Sequence, residues 1–486
     1  VEGPVENVQP THVTYPIYLN LKTNYKIMSI SSGGAYACAI IETGEITCWG
    51  QNGYGMRLAL NEGNNPDQLR YVISEESSKR AYPMGWGINS YSLSNLPSGI
   101  SYNESILEIS SDASQSGIFD WNVITLDGFN QGSISYQGMN IDRKQGAKPA
   151  WTNSISYVDS DSELPMVAVD ANYKHACGIK QGGELFCWGY NTDGQLGDGT
   201  LTRRLRPTAV RFDGEAPIVK QVSTGFSNTC IVTENNRVMC WGDGSQGQIG
   251  IGSHSNDASL FDEIRPQEVL LPWSSNATMV TTAKQFACAL MDDGSVKCWG
   301  KNNYGQLGSG STSPAYSGLP LEVKLPLGRF ALSIDAFEDH SCAVLDDGNM
   351  YCWGYKKYGN MGTGDLPTST AAHTSTPVPV HLPEGKSVSL MAVGDIHSCA
   401  VMTDDTLWCW GRNYYGEIGD GAFSSSSQFR TTPSQVDVQH YSPIVALSAG
   451  YGSTCSLHDD GTLNCWGRNN YGQVGDGLSN DQSSPT

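Results

Sequence analysis

The chain has 486 residues, a formal net charge of −20, 39% hydrophobic residues and 55 glycines. An acidic balance this strong disfavours nucleic acid, whose phosphates call for a basic footprint, and anionic membrane surfaces. No apolar run approaches the roughly 18 residues of a membrane-spanning helix, and the glycine content fits a turn-dense β protein.

Near the N-terminus, Pro10-Thr11-His12-Val13 reads as a short isolated strand. The first clear hairpin follows, with Cys38 on one strand and Cys48 on the next, leading into Trp49-Gly50. The next cysteine lies 139 residues beyond Cys38. Residues 60–165 are therefore either an insertion or a degenerate, cysteine-free blade of a repeat. Ser105–Ser111 resembles the strand that precedes each first cysteine, and Val123–Gly128 could continue it. From Cys177 the pattern becomes periodic. Cys177 pairs with Cys187, Cys230 with Cys240, Cys288 with Cys298, Cys342 with Cys352, Cys399 with Cys409 and Cys455 with Cys465, and the first cysteines are 53 to 58 residues apart. Together with Cys38 and Cys48 these pairs take up all 14 cysteines. A fixed period of this size marks a repeat array, each unit burying its apolar face against its neighbours.

The unit is clearest around Cys288. Ala287–Leu290 is an apolar strand, Asp292-Asp293-Gly294 a turn, and Ser295–Trp299 a second strand. If the turn is a three-residue hairpin loop, Gly294 takes its left-handed position. Residue 291 then faces 295, and Cys288 faces Cys298. Opposed residues have Cβ atoms roughly 4.5–5.5 Å apart, within reach of a disulfide. Each of the seven pairs is thus expected to staple one hairpin. Stable disulfides imply a secreted, cell-surface or periplasmic protein, and the even cysteine set argues that a signal peptide was removed ahead of Val1. Zinc is the competing reading of paired cysteines, but C-x-x-C spacing is lacking. His175, His340 and His397 sit two residues before a first cysteine, where other repeats hold Tyr36, Asn228, Phe286 and Ser453. These histidines are expected to hydrogen-bond inside their own blades, and no metal is expected.

The string Cys-Trp-Gly-x-Asn-x-x-Gly-Gln-Leu-Gly, as in Trp188–Gly197 and in the related run Trp466–Gly475, resembles the repeat of the regulator of chromosome condensation family over residues 20–60 and 160–486. The resemblance implies an all-β fold, a propeller of four-stranded blades, seven in number with eight as the alternative, spanning residues 1–486 as a single domain. The cysteine pairs depart from the nuclear members and resemble secreted or cell-surface relatives. The chromatin role of the founding member does not transfer well to so acidic a chain. Five repeats continue into a Pro-x-x-Val strand, from Pro207–Val210 to Pro433–Val436, whereas the last stops at Pro485-Thr486. The N-terminal strand within residues 1–20 is therefore expected to complete the last blade and close the ring.

The sequence carries no recognisable catalytic constellation, P-loop or dinucleotide fingerprint, so no enzyme activity and no cofactor are expected. Asp198, Asp420 and Asp476 lie in turns and lack the D-x-D-x-D spacing of a calcium loop. The best binding candidates are Tyr54, Tyr304, Tyr358, Tyr415 and Tyr471. They share one repeat position and fall on one rim of a ring. Asn103 and Asn276 head N-glycosylation sequons. The expected function is a non-enzymatic extracellular interaction or structural scaffold, binding a protein partner or copies of itself. The alternatives are a secreted soluble binder or inhibitor, supported by the resemblance to a propeller-shaped inhibitor of β-lactamase, and a glycan-binding propeller. Neither nucleic acid nor direct membrane insertion is expected.

Overall fold

In a computed structural model, residues 26–44, 46–51, 165–252, 262–272, 276–365, 372–423, 429–438, 442–476 and 478–486 are described in full. Strand backbones are described at 12–13 and within 90–157. The chain divides into two compact units, Val1–Arg57 with Pro165–Thr486, and Leu58–Leu164.

The first unit is a seven-bladed propeller. Blade 4 shows its plan: strands Ala277–Thr282, Phe286–Met291, Val296–Lys301 and Tyr316–Glu322 pair antiparallel in that order, from the centre outward. The hairpin turn is as expected. Met291 N–H donates to the Ser295 carbonyl at 2.9 Å, and Gly294 has φ 78°. Cys288 is therefore directly opposite Cys298, with Cα atoms 4.0 Å apart, and the two are bridged. The same opposition bridges Cys38 to Cys48, Cys177 to Cys187, Cys230 to Cys240, Cys342 to Cys352, Cys399 to Cys409 and Cys455 to Cys465. Each bridge stays within one blade, as the turn arithmetic predicts.

The core lies between blades. Strand alternation sends Cys288 and Leu290 towards blade 5, where they meet Ile334 and Trp353. Ala287, Ala289 and Trp299 point towards blade 3, where they meet Ile249 and Val269. All seven tryptophans that follow a second cysteine are buried. Those other than Trp188 donate their indole N–H to the preceding repeat. Trp299 donates to the Gln248 carbonyl and Trp353 to that of Gln306, each at 2.9 Å. The glycine that ends each Gly-Gln-Leu-Gly run is required at this contact: Gly308 has φ 65°, and a Cβ there would lie 2.9 Å from Trp353 Nε1.

The ring closes between blade 7 and blade 1. Trp49 donates to the Gln473 carbonyl at 3.0 Å, and Ser32 N–H donates to Ser448 Oγ at 2.8 Å. Backbones meet so tightly there that a Cβ on Gly450 would lie 2.1 Å from the Gly33 carbonyl oxygen. On its other side blade 1 contacts blade 2 directly, with Ser31 Oγ donating to Asp170 Oδ1 at 3.0 Å. The ring therefore holds seven blades, not eight.

The expectation for the N-terminal strand is corrected. His12–Val13 pairs with Gly50 and Gln51 and forms the outer strand of blade 1. Blade 7 takes its outer strand from its own end: Gln482 N–H donates to the Gly467 carbonyl at 2.9 Å, and Thr486 N–H to that of Cys465 at 3.1 Å. With that edge already paired, His12–Val13 takes the outer edge of the first repeat at Gly50 and Gln51. In the second unit, Ser90–Ser94, Gly117–Asp127, Asn130–Ile141 and Ser156–Tyr157 form an antiparallel sheet, and Ile100–Asn103 pairs with Glu108–Ser111.

Candidate functional site: an aromatic and cationic face

Register places the candidate tyrosines. The start of each second strand pairs with the end of the third, as His340 does with Gly354. The turn before the second strand and the loop after the third therefore share one end of the ring. The Asp-Gly hairpin tips lie at the other end.

The loop after the third strand is rigid because its polar side chains are spent internally. Asn302 Oδ1 accepts from Leu307 N–H at 3.3 Å while its Nδ2 donates to the Ser311 and Pro314 carbonyls at 3.0 Å. Gln306 Oε1 accepts from Tyr304 N–H at 2.9 Å. Gln473 does the same for Tyr471, and Glu417 for Tyr415 at 2.8 Å. Each tyrosine is thus fixed by the buried residue two positions on. Blade 5 departs from the plan. Lys356 replaces the asparagine, Asn360 anchors the loop through the Tyr355 carbonyl and Lys357 N–H, and Tyr358 adopts φ 55°.

Each described tyrosine of the set carries a cation from its own loop. Lys301 Nζ lies 5.6 Å from the Tyr304 ring, Lys357 Nζ 4.6 Å from Tyr358, Arg412 5.6 Å from Tyr415 and Arg468 6.0 Å from Tyr471. Four consecutive blades, 4 to 7, therefore present cation–tyrosine pairs on one face of an acidic protein. Tyr54 lies outside the described residues. The aromatic surface is wider than the predicted set. Tyr304 packs against Tyr355 at 4.6 Å, and Tyr358, Tyr414 and Phe429 form a cluster with centroids 4.6–5.9 Å apart. Closer to the axis, Tyr173 stacks on Phe226 at 4.2 Å. The sequence signal for the cations is a Lys or Arg within three residues of each tyrosine in repeats 4 to 7. The shared tyrosine position alone does not reveal it.

Some of these cations are neutralised locally. Lys301 pairs with Asp339 at 3.1 Å and Lys284 with Glu338 at 3.1 Å. Arg412 lies between Glu417 at 2.7 Å and Asp395 at 3.1 Å. Burial pushes Asp395 up to about 6 against the pull of Arg412. Lys357 and Arg468 have no carboxylate within ion-pair distance among the described residues.

The remaining sequence candidates are structural. Burial pushes His175, His340 and His397 down to about 3. They bridge to the next blade rather than within their own, because each ring reaches a hydroxyl across the inter-blade gap: Thr229 at 2.7 Å, Ser398 at 3.3 Å and Thr454 at 2.9 Å. Asp198 and Asp420 tie down the outer strand through Arg204 and Arg430, both at 2.6 Å, and Asp476 accepts from Gln482 at 2.7 Å. Asn276 is exposed at the start of a strand, its Nδ2 2.9 Å from Asp292. The side chain of Asn103 lies outside the described residues.

The family model for the RCC1-like domain matches residues 126–442, and one for the regulator of chromosome condensation (RCC1) repeat matches residues 444–473. The chain belongs to the RCC1-like domain family. This RCC1-like chain is 31% identical over 330 residues to the ultraviolet-B receptor UVR8 of Arabidopsis thaliana, an alignment covering 66% of this chain and 69% of that one. It is 28% identical over 276 residues to the human E3 ubiquitin-protein ligase HERC2, covering 56% of this chain but 5% of the ligase. Among solved structures, the RCC1-like ring is similar to human WBSCR16, with TM-score 0.59, 20% identity and coverage of 71% of this chain and 87% of that one. It is also similar to yeast RCC1 (Prp20) bound to Kap60, with TM-score 0.57, 20% identity and coverage of 66% and 74%. These structural likenesses carry the fold.

Proposed function

We propose that this propeller is an extracellular, non-enzymatic protein-interaction module that receives its partner on the aromatic and cationic face of blades 4 to 7. The observation that carries the reading is the run of cation–tyrosine pairs on four consecutive blades. Tyrosine and arginine are the residues that dominate protein interfaces, and rigid loops lower the ordering cost of binding. Seven buried disulfides support an oxidising compartment, and with it secretion or display at a cell surface. Yeast Prp20, a protein of similar fold, is known bound to Kap60 and for binding Gsp1p and histones, which supports a protein as the class of partner. The glycan reading is disfavoured, because sugars stack on open aromatic faces and these rings already carry their own cations.

The test is capture of partners from the native source by the immobilised chain, with crosslinking and mass spectrometry. Replacing Tyr304, Tyr358, Tyr415 and Tyr471 together by alanine should abolish recovery of the wild-type partner, while Arg329→Gln at the opposite end should not. Equal recovery by the tyrosine variant would refute the reading. Native mass by light scattering separates its two forms: a large regular assembly for a scaffold, a monomer for a soluble binder.

A further inference from the structure

We propose that the partner presents an acidic segment, with carboxylates flanking an apolar side chain, to Lys357 and Arg468. This inference rests on the docking face proposed above and names the chemistry that the face selects. Arg468 is half-buried, with its guanidinium 5.0 Å from the Tyr415 ring and 5.8 Å from that of Tyr451. Its Nε donates to Asn470 Oδ1 at 2.9 Å, which fixes the plane of the group. The neighbouring Arg412 is neutralised twice over, whereas the terminal nitrogens of Arg468 meet no acceptor among the described residues. Lys357 is equivalent on blade 5: half-buried, held over Tyr358 and 5.8 Å from Tyr355, and without an ion-pair partner among those residues.

A half-buried cation with no counter-ion among the described residues has lost part of its hydration, and ring quadrupoles and neutral side-chain acceptors do not replace the missing opposite charge. An incoming carboxylate restores the missing charge, and the tyrosines have already restricted the side-chain rotamers, so little further ordering is required. Guanidinium also matches a carboxylate through two parallel hydrogen bonds. Beside Lys357, the cluster of Tyr358, Tyr414 and Phe429 offers an apolar seat. The whole chain is acidic, so long-range charge repels an acidic partner. Recognition therefore depends on these local cations, and it weakens sharply with their loss.

The experiment measures fluorescence anisotropy of a labelled dodecapeptide of alternating glutamate and leucine on the intact, disulfide-bonded protein. The controls are the same peptide with glutamine for glutamate, and polygalacturonate as a competitor. The glutamate peptide should bind and the glutamine peptide should not. Arg468→Gln combined with Lys357→Gln should weaken binding on the order of tenfold or more, and Arg329→Gln should leave it unchanged. Equal binding of both peptides, or no effect of the double variant, overturns the proposal. Polygalacturonate binding in place of the peptide, with the same dependence on the two cations, also overturns it, since the ligand would be an acidic glycan. If the glutamate peptide fails to bind while the four-tyrosine variant still loses its native partner, the docking face stands and only the acidic segment falls.

Discussion

Replacing Asp335 with asparagine should lower stability on the acid side of neutrality and leave it nearly unchanged on the alkaline side. Asp335 lies on the innermost strand of blade 5, in a polar belt around a central cavity of about 360 Å³. Its Oδ1 accepts from Ala336 N–H at 2.9 Å and from Thr281 Oγ at 3.3 Å, and its Oδ2 accepts from Val393 N–H at 2.7 Å. One carboxyl thereby ties blade 5 to blades 4 and 6. Burial, opposed by the donors at Val393 and Ala336, pushes this group from 3.8 up to about 7. The unfolded value is about 3.9, so the native state binds more protons between those limits. The group's contribution is complete below about pH 4 and is lost as pH rises towards 7. At about pH 5 the wild-type carboxyl is neutral and accepts both backbone N–H groups. The amide nitrogen of asparagine cannot accept, which leaves one buried N–H orphaned at about 1–3 kcal/mol. Between about pH 5 and pH 8 the wild type loses about 2–3 kcal/mol at this site, and the variant does not. Asparagine should therefore be the less stable form at pH 5 and close to parity at pH 8. Urea unfolding with the disulfides intact, followed by tryptophan fluorescence, measures the difference. A gap that stays constant across that range would refute the reasoning and mean that the backbone donors keep the carboxylate charged.

Removing one staple by Cys288→Ser with Cys298→Ser should cost about 2.5–3 kcal/mol by loop entropy, read as a lower urea midpoint without loss of the native far-ultraviolet spectrum. Trp353→Phe removes the indole donor to Gln306 and leaves a void between blades 4 and 5, and should cost about 2–4 kcal/mol in the same assay. Glu417→Gln should keep the loop bond to Tyr415 N–H but strip Arg412 of one counter-charge, lowering stability by about 1–3 kcal/mol in the same assay while leaving partner capture unchanged. When the chain is secreted from a glycosylating host, Asn276→Gln should remove one glycosidase-sensitive step in electrophoretic mobility; an unchanged mobility would show that the sequon is not used.

The features legible in the residues alone were local ones. A three-residue turn fixes its own register, so Cys288 opposite Cys298 followed from counting. The bridges of Cys187, Cys240, Cys352 and Cys409 to the cysteine ten residues before each followed the same logic. The shared position of Tyr304, Tyr358, Tyr415 and Tyr471 was equally legible, because a repeat places like residues on like faces. The tertiary structure decided what depends on partners far away in the chain. Trp49 finds its acceptor 424 residues away, and Asp335 reaches Val393 only once blades 5 and 6 are side by side. His12–Val13 joins blade 1 rather than blade 7 because strand pairing goes to whichever edge remains open. The edge of blade 7 is already taken by Gln482–Thr486, where Pro485 holds the place of Pro207. Lys357 and Arg468 were readable as residues. That they lack a neutralising carboxylate among the described residues was not, because neutralisation depends on which carboxylates of neighbouring blades the fold brings within reach.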